Sequence, residues 1–313
     1  MNRQKLKPGD IVEVLHVHEI IKTLDSQGTV DNLPFMPEMI QYCGNKYRIK
    51  SRIEKTCVEC LKPNNITSGI MMEFMLSDVF YLEDLRCSGS SHDGCQRGCL
   101  IFWKEAWLKK SKNIRGKDFI YNDSNEQLRK VLVTRRMNGK YLCQSTQLLK
   151  ATIPISINKR FLKLIRETLT GEIKTCSAFS SIIRPVLRRL KKLKSNTILN
   201  GKSIRTPSDE LNLQPGELVE VKSLTEILGT LDKHGRNRGL KFNYGMKEYC
   251  GKRFIVRNRL DRMINEATGN MMKIKNTVIL KDVSCTYDYK GFGCPRSRFR
   301  YWREIWLKRI KED

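Results

Sequence analysis

The chain of 313 residues has 40% hydrophobic residues and a formal net charge of +26, which fits two or three globular domains with a sizeable core. It contains no run of 18 apolar residues, and this excludes a membrane-spanning helix. The N-terminal sequence MNRQKLKPGDIVEV has no apolar region and no small-residue cleavage site, so we do not expect a signal peptide. These features predict a cytoplasmic protein.

The positive charge is concentrated in the middle third of the chain. Residues 111–208 hold 22 Lys and Arg against 5 Asp and Glu, whereas residues 1–110 hold 15 against 14. A localised basic segment attracts phosphates or another anionic surface. Alternatively, the positive charge serves only to keep the protein soluble. The sequence does not decide between an anionic partner and this role.

The chain contains an internal repeat. PGDIVEV at residues 8–14 returns as PGELVEV at 215–221, and Tyr-Cys-Gly at 42–44 returns at 249–251. A Trp-(Lys/Arg)-Glu-x-Trp motif also occurs twice, at residues 103–107 and 302–306. We predict one duplicated unit, with domains at residues 1–110 and 209–313 and a basic, partly helical segment at 111–208.

Each copy has the patterns of β-strands. Alternating or β-branched residues predict strands at Ile11–Val14, Tyr47–Ile53, Phe80–Leu85, Phe254–Leu260 and Val278–Val283. The fold class predicted from them is mainly β with α. We expect two homologous small β-barrel domains, SH3-like by fold-level analogy, joined by the basic helical segment.

Three stretches have helical patterns. Ser223 and Glu226 form a capping box ahead of apolar residues, which predicts a short helix. Apolar spacings of three and four predict helices over Phe161–Arg166 and Ile182–Lys194. The spacing of Trp103 and Trp107 is typical of the core face of a helix.

Several motifs together resemble a known group of proteins. They are the run LPFMPEM at 33–39, the Tyr-Cys-Gly motif, Lys55-Thr56-Cys57, the stretch from Cys87 to Leu108, and CQSTQL at 143–148. This chain resembles a family of uncharacterised bacterial proteins with a duplicated cysteine-containing domain. The resemblance implies a bacterial cytosolic protein and carries no activity. The second copy departs from the pattern, with KFNYGM at 241–246.

The densest group of candidate ligands lies in the first copy. Cys87, His92, Cys95 and Cys99 fall within thirteen residues, and thiolate with imidazole suits zinc. We predict a zinc site at Cys87, Cys95 and Cys99, with Cys57 or His92 as the fourth ligand. An iron–sulfur cluster on the same cysteines, or buried free thiols, stay open as alternatives.

The second copy offers an internal comparison for this site. It keeps Cys250, Cys285 and Cys294 but has Arg298 opposite Cys99 and no counterpart of His92. If four ligands are required, the second copy binds no ion. The predicted function is that of a non-enzymatic, metal-containing binding or scaffold protein.

The sequence leaves three other functions open. A nucleic-acid-binding protein would use the basic side chains of the middle segment, namely Arg184, Arg188, Arg189, Lys191, Lys192 and Lys194. A metal- or thiol-dependent enzyme would use Cys57 or Cys95, which lie near basic residues. The basic helix could also lie on a membrane surface, but its apolar face has no Trp or Phe.

Overall fold

The computed structural model describes residues 6–61, 67–83, 85–111, 128–129, 132–169, 199–285 and 295–310. Its contacts group the chain into two compact units. Unit 1 comprises residues 1–178, 264–271 and 294–296, and unit 2 comprises residues 179–263, 272–293 and 297–313. Unit 1 thus includes two short stretches from the second repeat, residues 264–271 and 294–296. The predicted domain limits instead assign all of residues 209–313 to the second domain.

Unit 1 is mostly β-structure. Its strands are β1 (Ile11–Val14), β2 (Thr29–Val30), β3 (Leu33–Pro34), β4 (Lys46–Arg52), β5 (Lys55–Leu61), β6 (Thr67–Phe74), β7 (Val79–Leu82), β8 (Trp103–Lys104), β9 (Leu108–Ser111) and β10 (Thr152–Pro154). Its described helices are α1 (Val17–Ile21), α2 (Gln144–Ala151) and α3 (Ile157–Leu169), with 3₁₀ helices at Pro37–Tyr42 and Glu105–Trp107.

The main sheet of unit 1 has five strands in the order β8-β7-β4-β1-β9. Strand β1 is antiparallel to both neighbours, with Val12 opposite Tyr47 of β4 and opposite Lys110 of β9. Val12 and Val14 are buried, whereas Ile11 and Glu13 are half-buried. The period of two that predicted this strand therefore separates its two faces. A second sheet has the order β10-β6-β5.

The two tryptophans of the first repeat form part of the core. Trp103 and Trp107 are fully buried, and the ring of Phe35 packs edge-on against both, with centroids 6.4 and 5.2 Å away. The predicted helix is wrong, because Trp103 lies in β8 and Trp107 in the 3₁₀ helix Glu105–Trp107. A strand followed by one 3₁₀ turn also directs both rings into the core.

The second half of the chain repeats this arrangement. Its strands are β11 (Leu218–Val221), β12 (Arg236–Asn237), β13 (Leu240–Lys241), β14 (Arg253–Arg259), β15 (Arg262–Ile264), β16 (Met271–Lys273), β17 (Thr277–Ser284), β18 (Phe299–Arg303) and β19 (Leu307–Arg309). Helix α4 (Leu224–Gly229) and 3₁₀ helices at Tyr244–Tyr249 and Glu304–Trp306 complete it. The main sheet of unit 2 has the order β18-β17-β14-β11-β19, which matches that of unit 1 strand for strand.

Backbone hydrogen bonds recur at matching positions in the two units. The Gly44 amide donates to Val14 and the Gly251 amide to Val221, both at 2.8 Å. The Leu15 amide donates to Trp107 and the Lys222 amide to Trp306, both at 2.9 Å. The two units therefore share strand order and hydrogen-bond pattern as well as sequence motifs.

The helical predictions have different outcomes. The capping box is confirmed: the Glu226 amide donates to the Ser223 hydroxyl at 3.3 Å, and the Ser223 amide donates to the Glu226 carboxylate at 2.9 Å. Helix α3 contains the predicted stretch Phe161–Arg166. The predicted helix Ile182–Lys194 lies outside the described residues. The prediction of a mainly β protein with α is confirmed, and no described helix is long and apolar enough to span a bilayer.

Candidate metal centre

Four cysteines of unit 1 line one small cavity of about 30 Å³. Three of them, Cys87, Cys95 and Cys99, come from the loop between β7 and β8. The fourth is Cys143, which lies at the start of α2. Apolar side chains of Met36, Leu100 and Ile264 also line the cavity. The cavity therefore combines soft ligands with low-polarity walls.

Local backbone geometry holds the three-cysteine loop closed. The Cys87 amide donates to the Cys99 carbonyl at 2.8 Å, and Arg86 forms a β-bridge with Leu100. Gly89 has φ of +72°, and a Cβ at this position would lie 2.0 Å from the Cys95 carbonyl oxygen. Only glycine allows the loop to fold back this tightly, and the fold brings thiols at both ends of the loop to one cavity.

Cys143 is held at the cavity by its neighbours in sequence. The Cys143 amide donates to the Thr146 hydroxyl at 3.0 Å, which caps α2. The Gln144 side chain accepts from the Phe102 amide at 2.8 Å and donates to the Phe102 carbonyl at 2.8 Å. It also donates to the Pro34 carbonyl at 3.1 Å. These buried bonds fix the chain segment that carries the fourth thiol.

Two of the sulfurs receive hydrogen bonds. The Ser145 hydroxyl lies 3.3 Å from the Cys99 sulfur, and the Ile264 amide donates to the Cys95 sulfur at 3.4 Å. Donors directed at sulfur stabilise thiolates and are a regular feature around thiolate-bound metals. These two donors would stabilise the sulfurs of Cys99 and Cys95 as thiolates.

Burial keeps the thiols of Cys87, Cys95 and Cys143 protonated when nothing is bound to them. It raises the pKa of Cys143 to about 12, and it raises the pKa values of Cys87 and Cys95 in the same direction. Because the thiolate is the nucleophile, a thiol with a raised pKa reacts slowly at neutral pH. The raised pKa therefore argues against thiol catalysis at Cys95, and it also makes the thiolates that a metal needs more costly to form.

His92 reaches the cavity wall, but both of its ring nitrogens already have partners. Its Nδ1 atom lies 2.7 Å from the Glu38 carboxylate, and its Nε2 atom lies 3.0 Å from the Leu142 carbonyl. Since both partners are acceptors, both nitrogens must donate, which requires the imidazolium form. Burial opposes that charge, but Glu38 outweighs it and raises the pKa of His92. In this arrangement His92 has no free nitrogen for a metal.

Cys57 lies in a different environment from the other candidate ligands. Its side chain is buried on β5 with Met71 and Ile155, and it does not line the cavity. The sequence offered Cys57 or His92 as the fourth ligand and did not single out Cys143. The sequence signal that could have indicated Cys143 is the CQSTQL segment at residues 143–148. This segment belongs to the same set of motifs as the three-cysteine loop.

The four cysteines are not arranged with metal-binding geometry in this structure. Within the described ranges, no three His, Cys, Asp or Glu side chains are grouped closely enough to hold a metal. Zinc–sulfur bonds are about 2.3 Å long, so zinc binding would require the four sulfurs to move closer together than they lie here. All nine cysteines in the described part of the chain are free, and none of these four is therefore committed to a disulfide.

The matching loop of unit 2 keeps its closing hydrogen bond but differs in its side chains. The Cys285 amide donates to the Arg298 carbonyl at 2.6 Å, as the Cys87 amide does to Cys99. Arg298 thus stands opposite Cys99, in agreement with the sequence alignment of the repeats. Cys294 lies outside the described residues.

The basic residues predicted to bind nucleic acid, Arg184, Arg188, Arg189, Lys191, Lys192 and Lys194, also lie outside the described residues. No protein-family model, curated protein or solved structure matches this chain.

Proposed function

We propose that this is a metal-containing binding or scaffold protein, in which Cys87, Cys95, Cys99 and Cys143 hold one zinc ion. The observation that carries the proposal is that four thiols from two distant chain segments line one cavity of about 30 Å³. Four thiolates in a closed tetrahedron are a usual ligand set for structural zinc. Cys143 here takes the position for which the sequence offered Cys57 or His92.

The surroundings of the four thiols support this choice. A cavity of this size has room for an ion or about one or two waters. Sulfur-directed donors from Ser145 and Ile264 would stabilise the thiolates that the metal requires. An iron–sulfur cluster would use the same four cysteines and is the alternative cofactor.

The ion would have a structural role. It would join the three-cysteine loop to the start of α2, two segments that are 44 residues apart between Cys99 and Cys143. The loop leads directly into β8 and the buried Trp103. Metal binding would therefore stabilise the packing of the first repeat. A reducing compartment such as the cytoplasm would keep the thiols available.

We further propose that the two units arose by duplication and that each is a small SH3-like barrel. Their shared strand order and hydrogen bonds support a common origin. Only the first copy would have kept the ion, because Arg298 replaces the thiol in the second.

Metal analysis of the purified protein tests the proposed function. We expect about one equivalent of zinc per chain. Cobalt substitution is expected to give an intense thiolate-to-metal absorption band, because cobalt occupies tetrahedral thiolate sites with similar geometry. Zinc and iron contents that are both below about a tenth of an equivalent, with no cobalt band, would contradict the proposal.

Nucleic-acid binding is the second candidate function. Its support is the sequence charge of residues 111–208, with 22 Lys and Arg against 5 Asp and Glu. Binding to a non-specific duplex is then expected to weaken by tenfold or more between about 50 and 200 mM salt. Binding that is absent or insensitive to salt would contradict this candidate.

A further inference from the structure

Two buried arginines lie beside the thiol cavity and share one carboxylate. Arg97 donates to Glu266 at 3.1 Å and Arg296 donates to Glu266 at 2.8 Å. The side chains of Arg97, Arg296 and Glu266 are only 5%, 3% and 1% exposed. All three belong to unit 1. Arg97 also contacts the carboxylate of Glu59 at 3.3 Å, but that side chain is 28% exposed and therefore more strongly screened by water.

Each guanidinium is connected to a cavity sulfur through one intervening residue. Arg296 donates to the Ser145 hydroxyl at 3.0 Å, and this hydroxyl lies 3.3 Å from the Cys99 sulfur. Arg97 donates to the Ile264 carbonyl at 3.1 Å, and the Ile264 amide donates to the Cys95 sulfur at 3.4 Å. The arginines therefore position the two groups that contact sulfur.

The charge of the proposed zinc site needs compensation. Four thiolates and one Zn²⁺ leave a net charge of about −2, and burying a net charge is costly unless opposite charge is nearby. The His92–Glu38 pair is neutral as a whole. The two arginines and Glu266 together contribute one net positive charge, and Glu266 holds the pKa of Arg296 well above its usual value despite the opposing effect of burial.

We infer that Arg97 and Arg296 are positioning residues of the thiolate site, which favour the ion-bound, fully deprotonated set of four sulfurs by charge compensation and by orienting Ser145 and Ile264. This inference rests on the proposed function. The competing explanation is purely structural: the three charged side chains would only attach residues 264–271 and 295–296 to the rest of unit 1.

Variants of Arg296 and Glu266 distinguish the two explanations, because they change the local charge in opposite directions. Zinc affinity is measured by competition with a chromophoric chelator, alongside the thermal unfolding temperature. Arg296→Gln is expected to bind zinc about 10- to 100-fold more weakly. Glu266→Gln is expected to unfold at a lower temperature, yet to bind zinc about three- to tenfold more tightly, because a negative charge near the thiolates is removed.

The control is Arg309→Gln, since Arg309 forms a surface pair with Glu217 in unit 2. Its zinc affinity is expected to match that of the unchanged protein. If Arg296→Gln does not fold, Arg97→Gln takes its place with the same expected loss. Unchanged affinity in the arginine variant, or weaker binding in Glu266→Gln, would overturn the inference. Absence of zinc from the unchanged protein would instead show that the proposed function itself is wrong, and the inference with it.

Discussion

Replacement of Cys143 by Ser is expected to lower the zinc content of the purified protein from about one equivalent to less than a tenth. A serine hydroxyl is a poor zinc ligand, so three thiolates would remain without a fourth donor. Zinc affinity, measured by chelator competition, is expected to fall by at least a hundredfold. Metal analysis and the intensity of the cobalt thiolate band check this result.

Cys57→Ser is the matched control for this substitution. Cys57 is also a buried thiol of unit 1, but it packs with Met71 and Ile155 and does not line the cavity. We expect Cys57→Ser to retain zinc, although burying a hydroxyl there is expected to lower stability by about 1–3 kcal/mol. The assignment of Cys143 is contradicted if Cys57→Ser loses the metal and Cys143→Ser keeps it.

Replacement of His92 by Ala is expected to destabilise the fold by about 3–5 kcal/mol, because it leaves the Glu38 carboxylate buried without its cationic partner. The side chains of His92 and Glu38 are 2% and 0% exposed, so water cannot substitute for the imidazolium. Urea denaturation measures the change. Adding Glu38→Gln to the His92→Ala variant is expected to recover more than half of the loss, because the uncompensated charge is gone.

The same pair predicts how stability depends on pH. Folding raises the pKa of His92 above its usual value of 6.5. The stabilisation that protonated His92 provides is therefore complete below about pH 6.5, and it is lost as the pH rises through the pKa of the folded protein. Burial opposes ionisation of Glu38, but the hydrogen bond and charge of His92 lower its pKa below 4.5. The stabilisation that ionised Glu38 provides is therefore present above about pH 4.5 and is lost as the pH falls through the pKa of Glu38 in the folded protein.

Stability from this pair should therefore be greatest between about pH 4.5 and 6.5. The alkaline decline is expected to be much smaller in Glu38→Gln, because the carboxylate that raises the pKa of His92 is absent. An equal decline between pH 6.5 and 8.5 in both proteins would contradict the role assigned to the pair.

Some features of the site could be predicted because they are local in sequence. Cys87, Cys95 and Cys99 share one loop, and Gly89 permits its tight return. Because the loop of thirteen residues is closed at its ends, these three cysteines belong to one local segment of the fold. The replacement of Cys99 by Arg298 in the second repeat was visible for the same reason.

The strands were predictable on similar grounds, and the tryptophan segment only in part. The alternation of Val12 and Val14 with polar or half-buried neighbours specifies a strand with one buried face. The four-residue spacing of Trp103 and Trp107 predicts that both rings are buried on the same side of the segment. A helix and a strand followed by a 3₁₀ turn would both produce this burial. Neighbouring strands decide between them, since β8 gains its hydrogen bonds from β7.

The sequence by itself determined the mainly β composition, the repeated motifs and the three-cysteine loop, because each depends on residues that are close along the chain. Only the tertiary structure decided that Cys143 lines the same cavity as the three-cysteine loop, that His92 pairs with Glu38, and that two arginines lie beside the cavity. The physical reason is that a buried charge or thiol takes its partner from whatever the folded chain brings near it. Glu38 lies 54 residues before His92, and Arg296 lies 151 residues after Ser145, so no local pattern connects them.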